Sequence, residues 1–129
     1  MILDEDLPAG LSVNTAGVLA LTLGDKMGQI IGPDVTDGSG RAHLGITTMP
    51  IPILKAGAET VREIRLQASE LDELMLVDFT DAAQSTKTYE DYTRKIEAIP
   101  TEELSYLGLA LYGDKKRINK LTGSLPLLR

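Results

Sequence analysis

Apolar residues recur along this chain in two rhythms, one helical and one strand-like, and the alternation between them is the first clue to its architecture. Met1, Ile2 and Leu3 run straight into Asp4-Glu5-Asp6. That pattern predicts a stunted strand, the tail of a longer one whose beginning would lie upstream of Met1. Pro8 and Gly10 mark a turn. Over residues 11–23, Leu11, Val18, Leu19, Leu21 and Leu23, with Ala16 and Ala20, cover most of a helical surface. Such a helix is expected to be largely buried, with Gly24 as its C-terminal stop. Residues 29–36 and 42–47 flank Asp37-Gly38-Ser39-Gly40, two β-capable runs around glycine-rich turn chemistry, and so predict a hairpin. Residues 49–54 (MPIPIL) predict a further strand. Pro50 and Pro52 remove two ladder donors from it, so it should begin irregularly or pair on one side only.

The second half is more strongly patterned. Val61, Ile64, Ala68 and Leu71 fall at helical spacing, with Arg62, Glu63, Arg65 and Glu70 mostly outside, which predicts an amphipathic helix over 59–71. Residues 74–79 (LMLVDF) form a near-continuous apolar run, as in a strand covered on both faces. Residues 80–87 are polar and are expected to be a loop. Thr88, with Asp91 three residues on, makes a weaker form of the capping box. The helix it opens should bury Tyr89, Tyr92, Ile96 and Ile99 and end at Pro100. Residues 104–112 predict the last strand, and Asp114 and Gly123 can cap and close a short basic helix after it. Strands alternating with helices argue for an α/β sandwich, and no repeat or linker divides residues 1–129.

Composition narrows the chemistry. A chain of 129 residues fits one domain. Phe79, four tyrosines and no tryptophan leave the core to Leu, Ile, Val and Ala. The net charge of −6 argues against a broad electrostatic grip on nucleic acid. The one basic cluster, Lys115, Lys116, Arg117 and Lys120 with Arg129 close by, reads as a solvated helix face. With no cysteine, disulfides and thiolate chemistry are excluded, and a single histidine leaves no convincing zinc site. His43 follows the hairpin turn and is either an exposed hairpin side chain or a general base. No cofactor is implied. The N-terminus lacks a signal-peptide pattern and no apolar run is long enough to span a bilayer, so a cytoplasmic protein without membrane partners is expected.

The stretch YLGLALYGDKKRINKLTGSLPLL near the C-terminus carries a family resemblance. A strand, a Gly-Asp break, a short basic helix and an N-K-L-T-G close resemble the C-terminal end of the type II peptidyl-tRNA hydrolases. Asp6-Leu7-Pro8-Ala9-Gly10 and the strand-helix-strand segment 54–79 extend the likeness. DEDLPAGL, IIGPD, PIPIL and NKLTGSLPLLR together resemble, more narrowly, the prokaryotic family called domain of unknown function 2000, which is similar in fold to those hydrolases. The resemblance implies a three-layer α/β/α sandwich with a small mixed β-sheet, here with a β-hairpin insertion. It also implies a homodimer.

The same resemblance nominates site residues. Asp78 matches the hydrolases' aspartate, which would orient or deprotonate a water; otherwise it is a strand-end acid bonded to backbone donors. Ser105 matches a hydroxyl residue before the last strand's Leu-Gly, either an oxyanion or water ligand or an ordinary strand hydroxyl. Asn119 replaces the aspartate of the D-K-V-T-G pattern, while Lys120, Thr122 and Gly123 persist, as ligand-binding groups or as a helix end. The hydrolases' lysine at the first helix start has no counterpart among Leu11, Ser12, Val13 and Asn14. Asn14 can replace it only as a neutral donor, weaker than a charged one, and residues 80–100 form an added segment. Two functions follow. One is a non-catalytic binding or assembly protein, whose ligand would be a small molecule in a cleft near Asp78 and Asn14 or a second copy of itself. The alternative is a hydrolase of peptidyl-tRNA or a related ester using Asp78 without the usual lysine, with tRNA disfavoured by the acidic charge.

Overall fold

Successive residues of a strand point to opposite faces of a sheet, and in this chain that rule builds two separate cores. The computed structural model describes residues 1–129. Strands β1 (Ile2–Asp4), β4 (Leu54–Ala56), β5 (Met75–Thr80) and β6 (Tyr106–Tyr112) form one mixed sheet in the order β4-β1-β6-β5. Strands β1 and β4 are parallel, and β6 runs antiparallel to both β1 and β5. Helix α1 (Ala9–Met27) covers one face and α2 (Ala58–Ser69) the other. Ile2, Val61, Ile64 and Leu109 pack on the α2 side, while Leu3, Leu19, Phe79 and Ala110 pack on the α1 side. The last helix, α5 (Lys115–Thr122), leans against α2.

Strand β1 is three residues long and central, the stunted strand its sequence predicts. Helix α2, strand β6 and helix α5 fall where periodicity and caps place them. The Asp114 carboxylate accepts the Arg117 N–H at 3.0 Å and so starts α5.

Elsewhere the sequence expectation needs correction. Helix α1 runs past Gly24 to Gly28, whose φ of 58° makes the turn that ends it. Only Thr15 and Leu19 of this helix are buried, and Val13 and Leu21 stand 73% and 78% exposed. The reason is geometric: a four-stranded sheet of short strands touches one face of a helix and leaves the rest to water. The strand predicted over 49–54 forms only from Leu54, because Pro50 and Pro52 supply no ladder donors. The predicted loop after β5 contains a helical turn, α3 (Asp81–Gln84), anchored by buried Ala82. In α4 (Tyr89–Glu97) the expected stripe is only partly covered, and Tyr89 is 81% exposed. Both faces of β5 are packed, as its apolar run predicts, yet it is an edge strand.

The hairpin of β2 (Val35–Thr36) and β3 (Ala42–His43) stands apart from the main sheet. A bridge between Ile31 and Thr47 extends the same ribbon. Asp37 organises its turn by accepting the Ser39 and Arg41 amides, each at 2.9 Å. The Arg41 amide foremost, then His43 and Ser39, holds the Asp37 carboxyl below the usual aspartate range. His43 is exposed and meets Asp37 Oδ2 at 3.3 Å, which is its only side-chain partner. Ile31, Val35, Leu44 and Ile46 are exposed on this ribbon.

Candidate functional site

One face of α5 is set by spacing alone. Lys115, Asn119 and Thr122 lie four and three residues apart and therefore share a side of the helix. That side forms a wall of a groove of about 630 Å3, within the roughly 300–1,000 Å3 range of small-molecule sites. Residues Met49 to Pro52 form the opposite wall, and Leu23 and Leu111 contribute apolar surface. The proline-rich segment stays outside the sheet for the reason given above, which leaves its side chains free to line the groove. Its edge is fixed by the Leu54 N–H to the Met1 carbonyl at 2.8 Å and by the Met1 ammonium to the Pro52 carbonyl at 2.8 Å. Burial pushes the Met1 ammonium below its usual pKa. The Thr122 hydroxyl donates to the Ile118 carbonyl at 2.8 Å. Lys120 turns the other way, into a shallow depression with Gln67, Leu71 and Arg117. The N-K-L-T pattern thus sends two of its three polar residues into the groove.

Asp78 lies elsewhere. It faces α2 and accepts Arg65 Nε at 3.1 Å, with both side chains 23% exposed. The Arg65 guanidinium also sits 5.3 Å from the Tyr106 ring centroid, close enough for a cation–π attraction. Burial first, and the Asp78 charge with it, pushes the Tyr92 hydroxyl above the ordinary tyrosine range. The carboxylate expected to bond backbone donors, or to hold a water, instead bonds an arginine. Removing either partner strands the other, so Arg65→Ala and Asp78→Ala should each cost about 1–3 kcal/mol. The double variant should cost less than the sum of the two. Urea denaturation of the cycle checks both values.

Asn14 and Asp78 do not share a cleft, because Asn14 belongs to α1, on the opposite side of the sheet. Its amide donates to Gln84 Oε1 at 3.3 Å. Ser105 is exposed, and its carbonyl accepts the Asp81 N–H at 3.1 Å. By strand register Ser105 lies roughly 10 Å from Asp78. A second polar group therefore gathers at the carboxyl ends of β1 and β5, formed by Asn14, Asp81, Gln84 and Ser105. Asp81 and Gln84 were not picked out from the sequence. Their signal is the run TDAAQST directly after an apolar strand, where α/β sheets often hold ligands.

A four-stranded mixed α/β sheet with an apolar groove at the amino end of its central strand defines an α/β domain with one concave ligand-sized site. The chain belongs to the family described as protein of unknown function DUF2000, whose model matches residues 1–129. No curated protein matches the sequence. A solved structure of a protein of unknown function from Agrobacterium tumefaciens, Atu0240, is similar to it with a TM-score of 0.90 at 23% identity. The match covers 99% of this chain and 94% of that one, and at this identity it speaks for the fold. No helix is long and apolar enough to cross a membrane.

Proposed function

We propose that this protein is a non-catalytic binding protein on a peptidyl-tRNA hydrolase II-like scaffold, and that it holds a small molecule in the groove between α5 and residues 49–52. The groove itself carries the reading: about 630 Å3, lined mostly by apolar side chains, with Lys115, Asn119 and Thr122 on one wall. The Arg65 pairing of Asp78 adds support, since a carboxylate oxygen that could hold a water already accepts the guanidinium N–H. We place the protein in the cytoplasm on the sequence evidence. A thermal-shift screen of small amphiphiles tests the reading, because a ligand that binds only the folded state raises its melting temperature. Wild type should respond, and Asn119→Trp, which fills the groove from an exposed position, should not. An equal response from both would contradict the assignment.

Assembly is the second part of this reading. The hairpin is a two-stranded ribbon, a form that is marginal on its own in water. It exposes Ile31, Val35, Leu44 and Ile46, and α1 exposes Val13 and Leu21. These support a homodimer that covers them, and a monomer by light scattering at working concentration would count against it.

The hydrolytic alternative has one observation in its favour, the polar group of Asn14, Asp81, Gln84 and Ser105 at the strand carboxyl ends. A peptidyl-tRNA deacylation assay with wild type, Asp78→Ala and Asp81→Ala decides it. Binding without catalysis predicts no cleavage by any of them. Cleavage by wild type that is lost in either variant would establish a hydrolase.

A further inference from the structure

The groove's electrostatics differ from those of the whole chain. The protein carries a net charge of −6, yet no Asp or Glu lines the groove; its cations are the Lys115 side chain and the Met1 ammonium, which donates to the Pro52 carbonyl. Lys115 enters none of the ion pairs in the molecule. The acids near it are committed elsewhere. The Asp114 carboxylate caps α5 through the Arg117 amide, and Glu73 holds the Arg117 guanidinium at 2.7 Å on the far side of the helix. An ammonium without an ion-pair partner at the edge of an apolar cleft therefore favours one kind of guest.

Resting on the proposed binding role, we propose that the groove takes an amphiphilic monoanion, a carboxylate or equivalent head on an apolar chain. The head meets Lys115, with the Asn119 amide one turn along to donate a hydrogen bond. The chain lies against Leu23, Met49, Ile51 and Ile118, whose apolar surface leaves water when it binds. A cationic amphiphile is repelled by the same lysine, and a neutral one gains only the apolar part. Discrimination by charge sign at one end is the usual way such sites combine apolar affinity with specificity.

Isothermal titration calorimetry with octanoate, octan-1-ol and octyltrimethylammonium as probes tests this on the full chain. Octanoate should bind most tightly and the ammonium most weakly. Lys115→Gln should weaken octanoate about fivefold, the scale of a partly exposed ion pair, and leave octan-1-ol unchanged. Lys116→Gln, which removes the same charge outside the groove, should leave both unchanged. Asn119→Trp should abolish all binding. If octanoate and octan-1-ol bind equally and Asn119→Trp blocks both, the groove is a ligand site but its anion preference is overturned. If Lys116→Gln matches Lys115→Gln, the effect is one of net charge and the proposal again fails. If no probe binds, or Asn119→Trp changes nothing, the groove assignment itself falls.

Discussion

Gly108→Val is expected to unfold the centre of the sheet, at a cost of about 3 kcal/mol or more. Gly108 lies in β6 opposite Leu3 and Phe79, just after the bulge at Leu107 that adds a residue to the strand. Its face of the sheet receives α1. A Cβ there would sit 2.7 Å from Leu3 Cδ2, 2.8 Å from Thr15 Cγ2 and 3.1 Å from the Ile2 carbonyl. The two side chains are fully buried and the third neighbour is backbone, so nothing can swing aside. Valine adds two further methyl groups to that overlap, and α1 would have to lift off. Gly108→Ala should cost less, because the smaller clash is partly offset by a less flexible unfolded chain. In urea the midpoint should fall steeply with little change in slope. A Gly108→Val protein as stable as wild type would mean that α1 is not seated as described.

Leu19→Ala should cost about 3–4 kcal/mol and Leu21→Ala close to nothing. Leu19 is the one large apolar side chain of α1 that is fully buried, packed among Leu3, Phe79 and Ala110. Its truncation loses transfer energy and leaves a cavity in the core on that face. For a chain of this length the loss lowers the melting temperature by roughly 10 °C. Leu21 lies two positions on, rotated to the opposite side of the helix, and surface changes of that kind stay within about 0.5 kcal/mol. If the homodimer forms, Leu21→Ala should instead loosen the dimer, which light scattering would report. Equal losses of stability for the two variants would contradict the register of α1.

That contrast also shows why α1 was hard to read. Leu11, Val18, Leu19, Leu21 and Leu23 surround the helix, so the sequence carries no moment to choose a face, and the sheet makes the choice. Where periodicity is clean, as in Val61, Ile64 and Ala68 of α2, helix and buried face were both legible. Explicit caps served as well: Thr88 accepts the Asp91 N–H at 3.1 Å and Asp114 the Arg117 N–H. The α3 turn was hidden because four residues with one buried alanine make no pattern. Asp78 was nominated by the family resemblance, but not its bond to Arg65. That partner is thirteen residues away on a helix, and only the crossover brings the two together. The groove was legible only in Asn119 and Thr122, which the resemblance nominated. Lys115 read as part of a solvated face, the cleft was expected near Asp78 and Asn14, and the wall opposite α5 comes from the proline-rich segment, which lies far away in sequence.

The four methionines supply the most direct test of the groove as the binding site. Met1 and Met49 line it, while Met27 and Met75 do not. With methyl-13C methionine incorporated, octanoate should move the Met1 and Met49 methyl signals along saturating curves with one shared dissociation constant. The Met27 and Met75 signals should stay where they are. Four stationary signals, or shifts led by Met27 and Met75, would contradict the account.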